Sequence, residues 1–338
     1  MLEMVMQNLL SPAVLFFILG VIAAIVSSDF SFPKGFGEAL SIYLLIAIGL
    51  KGGIELSNYT LAAVTKPILG TLFLGSLIPI ITFFIIRKFT KLDINNAIGL
   101  AATYGSVSII TYGAAISFLE NLAIPYERFM NAMVVLMEIP GILVALLLLG
   151  MIRNLPDNIQ PMPARNVGII AQNPLSFING AVLKESFFGK SILLLAGSLL
   201  IGLIVGVNGL PFIKPLFIDL YQSILLLFLL NMGLMAGKRL GVVRRHGLKL
   251  LLFATIMPLL FGVLGILVGY FVGLSLGGAM LMGVLAGSAS YIAAPAALRT
   301  SVPEADPSIY LGLALGVTFP LNLTIGIPLY YTIASWFF

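Results

Sequence analysis

Ile48-Gly-Leu-Lys-Gly-Gly53 recurs as Met232-Gly-Leu-Met-Ala-Gly237, 184 residues further along the chain. Each motif closes an apolar run, at 37–53 and 215–236. The same spacing lays Ile98-Gly-Leu-Ala-Ala102 on Met282-Gly-Val-Leu-Ala286. Upstream, Ile18-Leu-Gly-Val-Ile22 corresponds to Leu200-Ile-Gly-Leu-Ile204, and Pro33 to Pro215, at a spacing of 182, as a two-residue insertion would produce. A low-diversity apolar alphabet yields chance matches one at a time. Two matches at one spacing, in equivalent runs, define an internal repeat.

The solvent of these runs follows from composition. The chain has 338 residues, 60% apolar and 9% charged, with a mean hydropathy of +1.12. A soluble domain carries roughly a quarter charged residues, so this chain could not clothe a globule in polar side chains. Its surroundings must be largely lipid, where one helical crossing takes about 20 apolar residues. The apolar runs lie at 12–27, 37–53, 60–86, 94–119 and 128–152, then at 189–205, 215–236, 248–272, 277–298 and 307–335. They predict an all-α integral membrane protein of about ten transmembrane helices. The first repeat is 1–152, a polar cytoplasmic linker follows at 153–188, and the second repeat is 189–338. Five crossings is an odd number, so the second repeat enters the membrane inverted. Inverted repeats are a common plan of secondary transporters, with the site at the midplane between them. Similar halves facing opposite ways give inward-open and outward-open states of similar energy.

Lysine and arginine orient the chain, because they accumulate on the cytoplasmic side. With the N-terminus outside, the inner set is Lys34, Arg87, Lys88, Lys91, Arg153, Arg165, Lys184, Lys190, Lys238, Arg239, Arg244, Arg245, Lys249 and Arg299. The outer set is Lys51, Lys66, Arg128 and Lys214. Both termini are therefore expected outside the inner (plasma) membrane. The net charge of +5 follows topology and gives no nucleic-acid patch. His246 stands among basic neighbours in Lys238-Arg-Leu-Gly-Val-Val-Arg-Arg-His246 and reads as a loop residue. Cysteine is absent, which excludes disulfides and thiolate chemistry. The N-terminal residues lack the positive region of a cleavable signal, so the first apolar run reads as a retained helix.

The fourth and ninth spans have unusual middles. Span 4 carries Ala102-Thr-Tyr-Gly-Ser-Val-Ser108, and span 9 carries Ala286-Gly-Ser-Ala-Ser-Tyr-Ile-Ala-Ala-Pro295. Gly, Ser and Pro weaken helix continuity. They also line ordinary close helix contacts in membranes, but their recurrence at equivalent positions predicts a pair of crossing, interrupted helices. Freed backbone at membrane depth is tolerated where it lines protein or a cavity, and a restarting helix offers N–H groups to an anion. The candidate anion site is Gly105, Ser106, Val107 and Ser108 facing Ser288, Ala289, Ser290 and Tyr291. Glu138, in Met137-Glu-Ile-Pro-Gly141, is the charged residue nearest the centre of a span. A carboxylate there is paired, protonated or bound to a coupling ion. Pro140 frees the carbonyl four residues earlier, a second hard oxygen for Na⁺. Thr103, Thr111, Thr318 and Asn322 complete the candidate cation donors, with Pro320 a further helix interrupter.

At these residues the chain resembles the cyanobacterial-type sodium-dependent bicarbonate transporters, over almost its full length. The likeness is carried by Leu10-Ser-Pro12, Ile48-Gly-Leu-Lys-Gly-Gly53, Gly105 with Val107, Ser108 and Thr111, Ile124-Pro-Tyr-Glu127 and Met137-Glu-Ile-Pro140. It continues through Leu298-Arg299, Val302-Pro303, Asp306-Pro-Ser308 with Tyr310 and Gly312, and Gly326-Ile-Pro-Leu329. The resemblance implies Na⁺-coupled bicarbonate uptake by a ten-helix homotrimer whose core domain moves against a gate domain. Na⁺ serves as coupling ion and no other cofactor is implied. It also implies a PII-like regulatory partner, against which the short linker, nearly free of acidic residues, counts. Two positions depart from the family pattern. Tyr291 stands where the family has an Asp, and Glu138 where it has a shorter Asp.

The sequence thus points to Na⁺-coupled import of bicarbonate by alternating access. Another small anion or organic acid, coupled to Na⁺ or to H⁺ through Glu138, is the alternative on the same fold. A non-transporting sensor lacks a sizeable soluble signalling domain here. An intramembrane enzyme lacks paired carboxylates, an intramembrane histidine and a metal-ligand cluster.

Overall fold

A computed structural model of the chain describes residues 2–153, 190–243 and 247–338. The linker expected at 153–188, beyond Arg153, and His246 with Arg244 and Arg245 lie outside them. Helix is the only regular structure among the described residues apart from turns.

The local sequence decides where the helices start and break. A first helix, α1 (Leu2–Leu9), precedes α2 (Pro12–Ile25). Ser11 separates them by accepting the Val14 N–H at 3.4 Å, and Pro12 sits in the first turn, where its missing N–H costs nothing. Next come α3 (Phe36–Leu56) and α4 (Leu61–Phe89), the latter carrying Pro67 and Pro79. The fourth expected span is two helices, α5 (Ile94–Gly105) and α6 (Ile109–Asn121). The first half ends with α7 (Met130–Arg153), which carries Pro140 and stays helical through it.

In the second half, α8 (Lys190–Val205) is followed by α9 (Tyr221–Val243) and α10 (Leu248–Phe271). The ninth expected span is again divided, into α11 (Leu276–Ala286) and α12 (Ala293–Ser301). The last helix, α13 (Pro307–Ala334), contains π-helical turns at Ala314–Thr318 and Asn322–Gly326.

Seven helical stretches among the described residues are long and apolar enough to cross a membrane, against the ten runs of the sequence. The difference has physical causes. α2 has 14 residues and α11 has 11, rises of about 21 and 16 Å at 1.5 Å per residue, too short alone for a hydrocarbon core of about 30 Å. The sixth and seventh runs also count as one stretch. Between α8 and α9 the chain stays helical through a 3₁₀ segment at Gly206–Gly209 and a π-helical one at Lys214–Asp219, so Ile192–Lys238 is continuous over 47 residues.

Two helix pairs are the most extensively packed: α2 lies along α9, and α3 along α8. The recurring glycines permit both approaches. A Cβ on Gly49 would stand 2.6 Å from the Leu195 carbonyl oxygen, and one on Gly233 would stand 2.1 Å from that of Phe17. Either distance is below any real Cβ contact, so each glycine is required for its backbones to meet. The remaining helices surround the divided pairs. α5 packs on α4 and α7, and α11 on α10. The second half of each divided pair then meets the first half of the other, α6 against α11 and α12 against α5. Burial separates centre from rim: an apolar 18-residue stretch within Ile94–Asn121 is 94% buried, and one within Ile192–Lys238 is 28% buried. Leu193, Leu200, Ile201 and Ile204 on α8 are exposed, as side chains facing lipid would be.

Candidate functional site

The breaks in the two divided helices are hydrogen-bonded to each other. Ser108 donates its backbone N–H to Ser288 Oγ at 2.9 Å, and Ser290 donates its own to the Thr103 carbonyl at 2.8 Å. Serine also starts the second half-helices. Ser108 Oγ accepts the Thr111 N–H at 3.1 Å, and Ser290 Oγ accepts the Ala294 N–H at 3.2 Å. Of the N–H groups that the sequence assigned to an anion, that of Ser108 is occupied by a serine oxygen, which stands where an anion oxygen would accept, whereas those of Ser106, Ser288 and Ser290 reach backbone carbonyls.

Every candidate residue of the sequence is buried, and those of the two breaks come together. Val107 and Ala289 contribute backbone to the crossing. Thr111 donates its hydroxyl to Ser108 Oγ at 2.8 Å. The Tyr291 ring meets Phe319 edge-on at 5.4 Å, and Phe319 meets Phe17 at 5.3 Å. The Tyr291 hydroxyl is buried without a partner, beside Ser108.

Glu138 reaches the break from α7. One turn beyond it, Gly141 lies so close to the end of α5 that an added Cβ would be 2.2 Å from the Gly105 carbonyl oxygen and 2.7 Å from the Ser106 nitrogen. Gly105 itself abuts Pro79 of α4, a would-be Cβ falling 2.8 Å from that ring. The Glu138 carboxyl neighbours the Ser106 hydroxyl. Ser106 Oγ, Glu138 Oε2 and Thr103 Oγ1 are all buried without a hydrogen-bond partner. Buried polar atoms are almost always paired, so unpaired oxygens at one helix break suit a ligand. Among the described residues no group of three or more Asp, Glu, His or Cys gathers anywhere. A cation at this break would rest on Glu138 and neutral oxygens.

Thr318 and Asn322 stand elsewhere in the network. Thr318 accepts from Tyr104 at 2.8 Å, with either oxygen able to donate, and donates to the Ala254 carbonyl at 2.7 Å. It ties α13 to α5 and α10. Asn322 donates its amide to the Gly287 carbonyl at 2.7 Å and accepts from the Tyr330 hydroxyl at 2.9 Å. It thereby holds the α11 break, whereas Glu138 attends the α5 break. The two lie 184 residues apart, the spacing of the glycine motifs. Each is a polar side chain from the last helix of its half, set against the broken helix of that half. Sequence inspection named both residues and missed this pairing, although the spacing was available. It also gave no role to Glu127, which accepts the Ser275 backbone N–H at 2.7 Å and its hydroxyl at 2.9 Å, ahead of α11.

A buried crossing of two broken helices, holding one carboxylate and several hydroxyls within long apolar helices, defines a polytopic membrane protein with polar chemistry in its interior. Residues 12–335 match the Na⁺-dependent bicarbonate transporter superfamily, and the chain belongs to that superfamily. A comparison with curated proteins gives no match.

Proposed function

We propose that this protein takes up bicarbonate by secondary active transport coupled to Na⁺, the anion sitting between the breaks of the two crossing helices. The observation that carries the reading is the α5–α6 break. There an ionisable carboxyl and unpaired hydroxyls meet the start of a helix inside the protein. The parts suit opposite charges. Glu138 with the Ser106 and Thr103 hydroxyls offers oxygens to a cation. The first turn of α6, with its dipole and the N–H groups that serines now occupy, offers donors to an anion. Bringing Na⁺ beside Glu138 lowers the cost of an anion nearby, which is the electrostatic content of coupling. Bicarbonate has acceptor oxygens for the N–H and hydroxyl groups, and its own O–H can donate to a serine.

Ten crossings in two inverted halves, with both termini outside, complete the proposal. The duplicated packing of α2 with α9 and of α3 with α8 supports it, as does the shared spacing of Glu138 and Asn322. The α2, α3, α8 and α9 helices would form the gate, and the helices around the two breaks the moving core. Tyr291 favours a second reading of the cargo. It places a phenol where the family has an Asp, so one carboxylate fewer faces the site, and another small anion or H⁺ coupling through Glu138 fits that loss.

Purified protein in proteoliposomes tests both. Labelled bicarbonate should accumulate with an inward Na⁺ gradient and not with an equal K⁺ gradient, and Glu138→Gln should abolish the Na⁺-dependent part while leaving a monodisperse, folded protein. Full Na⁺-driven uptake by Glu138→Gln would overturn the assignment of the carboxylate. Uptake driven equally by a pH gradient without Na⁺ would replace the first reading by the second.

A further inference from the structure

A second cationic feature lies away from the crossing. Lys51 belongs to the glycine motif of α3 and is only partly buried, and its Nζ stands 6.0 Å from the centre of the Tyr221 ring. Among the described residues it has no ion pair. The nearest acid on its own helix, Glu55, is committed to Arg128 at 3.3 Å. Glu120 across the same mouth is held by Tyr126 and by Gln222, each at 3.2 Å. An unpaired ammonium in an apolar helix is costly unless something compensates it, and the ring of Tyr221 does so only in part.

A helix N-terminus adjoins Lys51 along α3. Its neighbour Gly52 touches the first turn of α7, a would-be Cβ falling 3.0 Å from Asn131 Cβ and 3.1 Å from the Ala132 nitrogen. Tyr221 is the first residue of α9. The helix runs into it from the π-helical passage, so the N-terminus of α7 alone adds partial positive charge near the ammonium. An independent feature points to a ligand. The Tyr221 hydroxyl is buried with no hydrogen-bond partner. It sits against the bare backbone of α6, within 2.5 Å of where a Cβ on Gly113 would be. A buried phenol without an acceptor and an ammonium without an ion pair, on one tyrosine and the lysine over its ring, are the two kinds of donor that a small oxyanion takes. From Gly113 the axis of α6 reaches Ser108 in about 7.5 Å, five residues at 1.5 Å each.

We infer that Lys51 and the Tyr221 hydroxyl form an entry site for a small oxyanion, on the outer side of the path that α6 leads down to the helix breaks. This rests on the anion-uptake reading for its direction. Lys51 steers the anion in, Tyr221 donates to it, and release toward Ser108 follows when the gate helices α3 and α9 move relative to α6.

Two measurements test the site, one of them independent of transport. In right-side-out vesicles, Lys51→Met should raise the half-saturating bicarbonate concentration about tenfold, roughly what losing one charge-assisted contact does. The maximal rate and the Na⁺ dependence should change little, and Lys51→Arg should restore most of the affinity. Tyr221→Phe should raise the same constant by a smaller factor. For the independent arm, the chain contains no cysteine, so Gln222→Cys places a single thiol beside the site. An anionic sulfonate-bearing thiosulfonate should modify it faster, relative to its trimethylammonium counterpart, when Lys51 is present than in Lys51→Met. An unchanged reagent ratio overturns the entry site whatever the protein transports. An unchanged half-saturation with intact bicarbonate uptake overturns it as well. If the wild-type chain carries no bicarbonate while the reagent ratio responds to Lys51, the transport reading fails and the anion site stands.

Discussion

A single methyl group at residue 141 would strike the Gly105 carbonyl oxygen at 2.2 Å, and that oxygen belongs to the last residue of α5, which cannot move without shifting the break. Gly141→Ala is therefore expected to destabilise the protein by about 1–3 kcal/mol, the usual cost of overpacking, and to depress uptake further by displacing Ser106 from Glu138. Gly197→Ala is the matched control. Nothing lies within 4 Å of its would-be Cβ, and alanine gains about 1 kcal/mol of helix propensity over glycine, so this variant should be neutral or slightly more stable. Thermal unfolding in detergent measures both. Equal midpoints for the two variants would contradict the close approach of α7 to the α5 break. At this scale the sequence was most legible where a residue was chemically out of place: Glu138 in an apolar run, and the clustered serines. It was least legible where hydroxyls satisfy one another. That Ser288 accepts from Ser108, or that Thr318 bonds α5 and α10 instead of joining Glu138, depends on contacts across 180 residues or 64 and more, which local patterning does not encode.

Half-helices inside a membrane protein need their free ends fixed, and here loops from the opposite half of the chain do it. Glu127, between α6 and α7, accepts two hydrogen bonds from Ser275 ahead of α11. In the other direction, Asn96 in the first turn of α5 accepts the backbone N–H of Asp306, between α12 and α13, at 2.7 Å. Ser275 in turn caps α11 by accepting the Gly278 N–H at 3.2 Å. Glu127→Ala removes both carboxylate contacts and should cost about 1.5–3 kcal/mol, the range for bonds to a charged group. Ser275→Ala removes one of these contacts together with a cap of about 1 kcal/mol. Because the two side chains share one bond, the double variant should lose less than the sum of the singles, read as thermal midpoints of the purified protein. Additive losses would show that Glu127 does not act through Ser275. Elements differed from the sequence reading where helix length, and not polarity, decided the outcome. The apolar run at 12–27 gave a helix of only 14 residues, and the 3₁₀ and π passage after α8 joined two runs that Gly and Pro had suggested were separate. The divided spans 4 and 9 were legible because helix-weakening residues fell at equivalent places in both.

Over the whole molecule, inversion of the halves is a statement about which loops share a side of the membrane, and 14 basic residues against 4 are the ground for it. The absence of cysteine lets that be tested one position at a time in the native background. Asn58 follows α3 and Ser335 follows α13, and both are exposed. With both termini outside, Asn58→Cys and Ser335→Cys should react on intact cells with a membrane-impermeant maleimide. Ser28, after α2, and Glu304, between α12 and α13, are also exposed, and cysteines there should react only once the membrane is permeabilised. The four positions discriminate among arrangements. The opposite pattern at all four would reverse the orientation yet keep the inversion, and with it the positions of the two helix breaks between the same loops. Agreement at Ser28 and Asn58 but reversal at Glu304 and Ser335 would mean an odd number of crossings between α3 and the loop after α12 has become even. The joined stretch from α8 to α9 is where that change would arise, because a continuous helical passage there that failed to return across the membrane removes one crossing. The halves would then run parallel, α6 and α12 would point the same way, and a carrier that exchanges its two faces by swapping equivalent halves would no longer follow from the repeat.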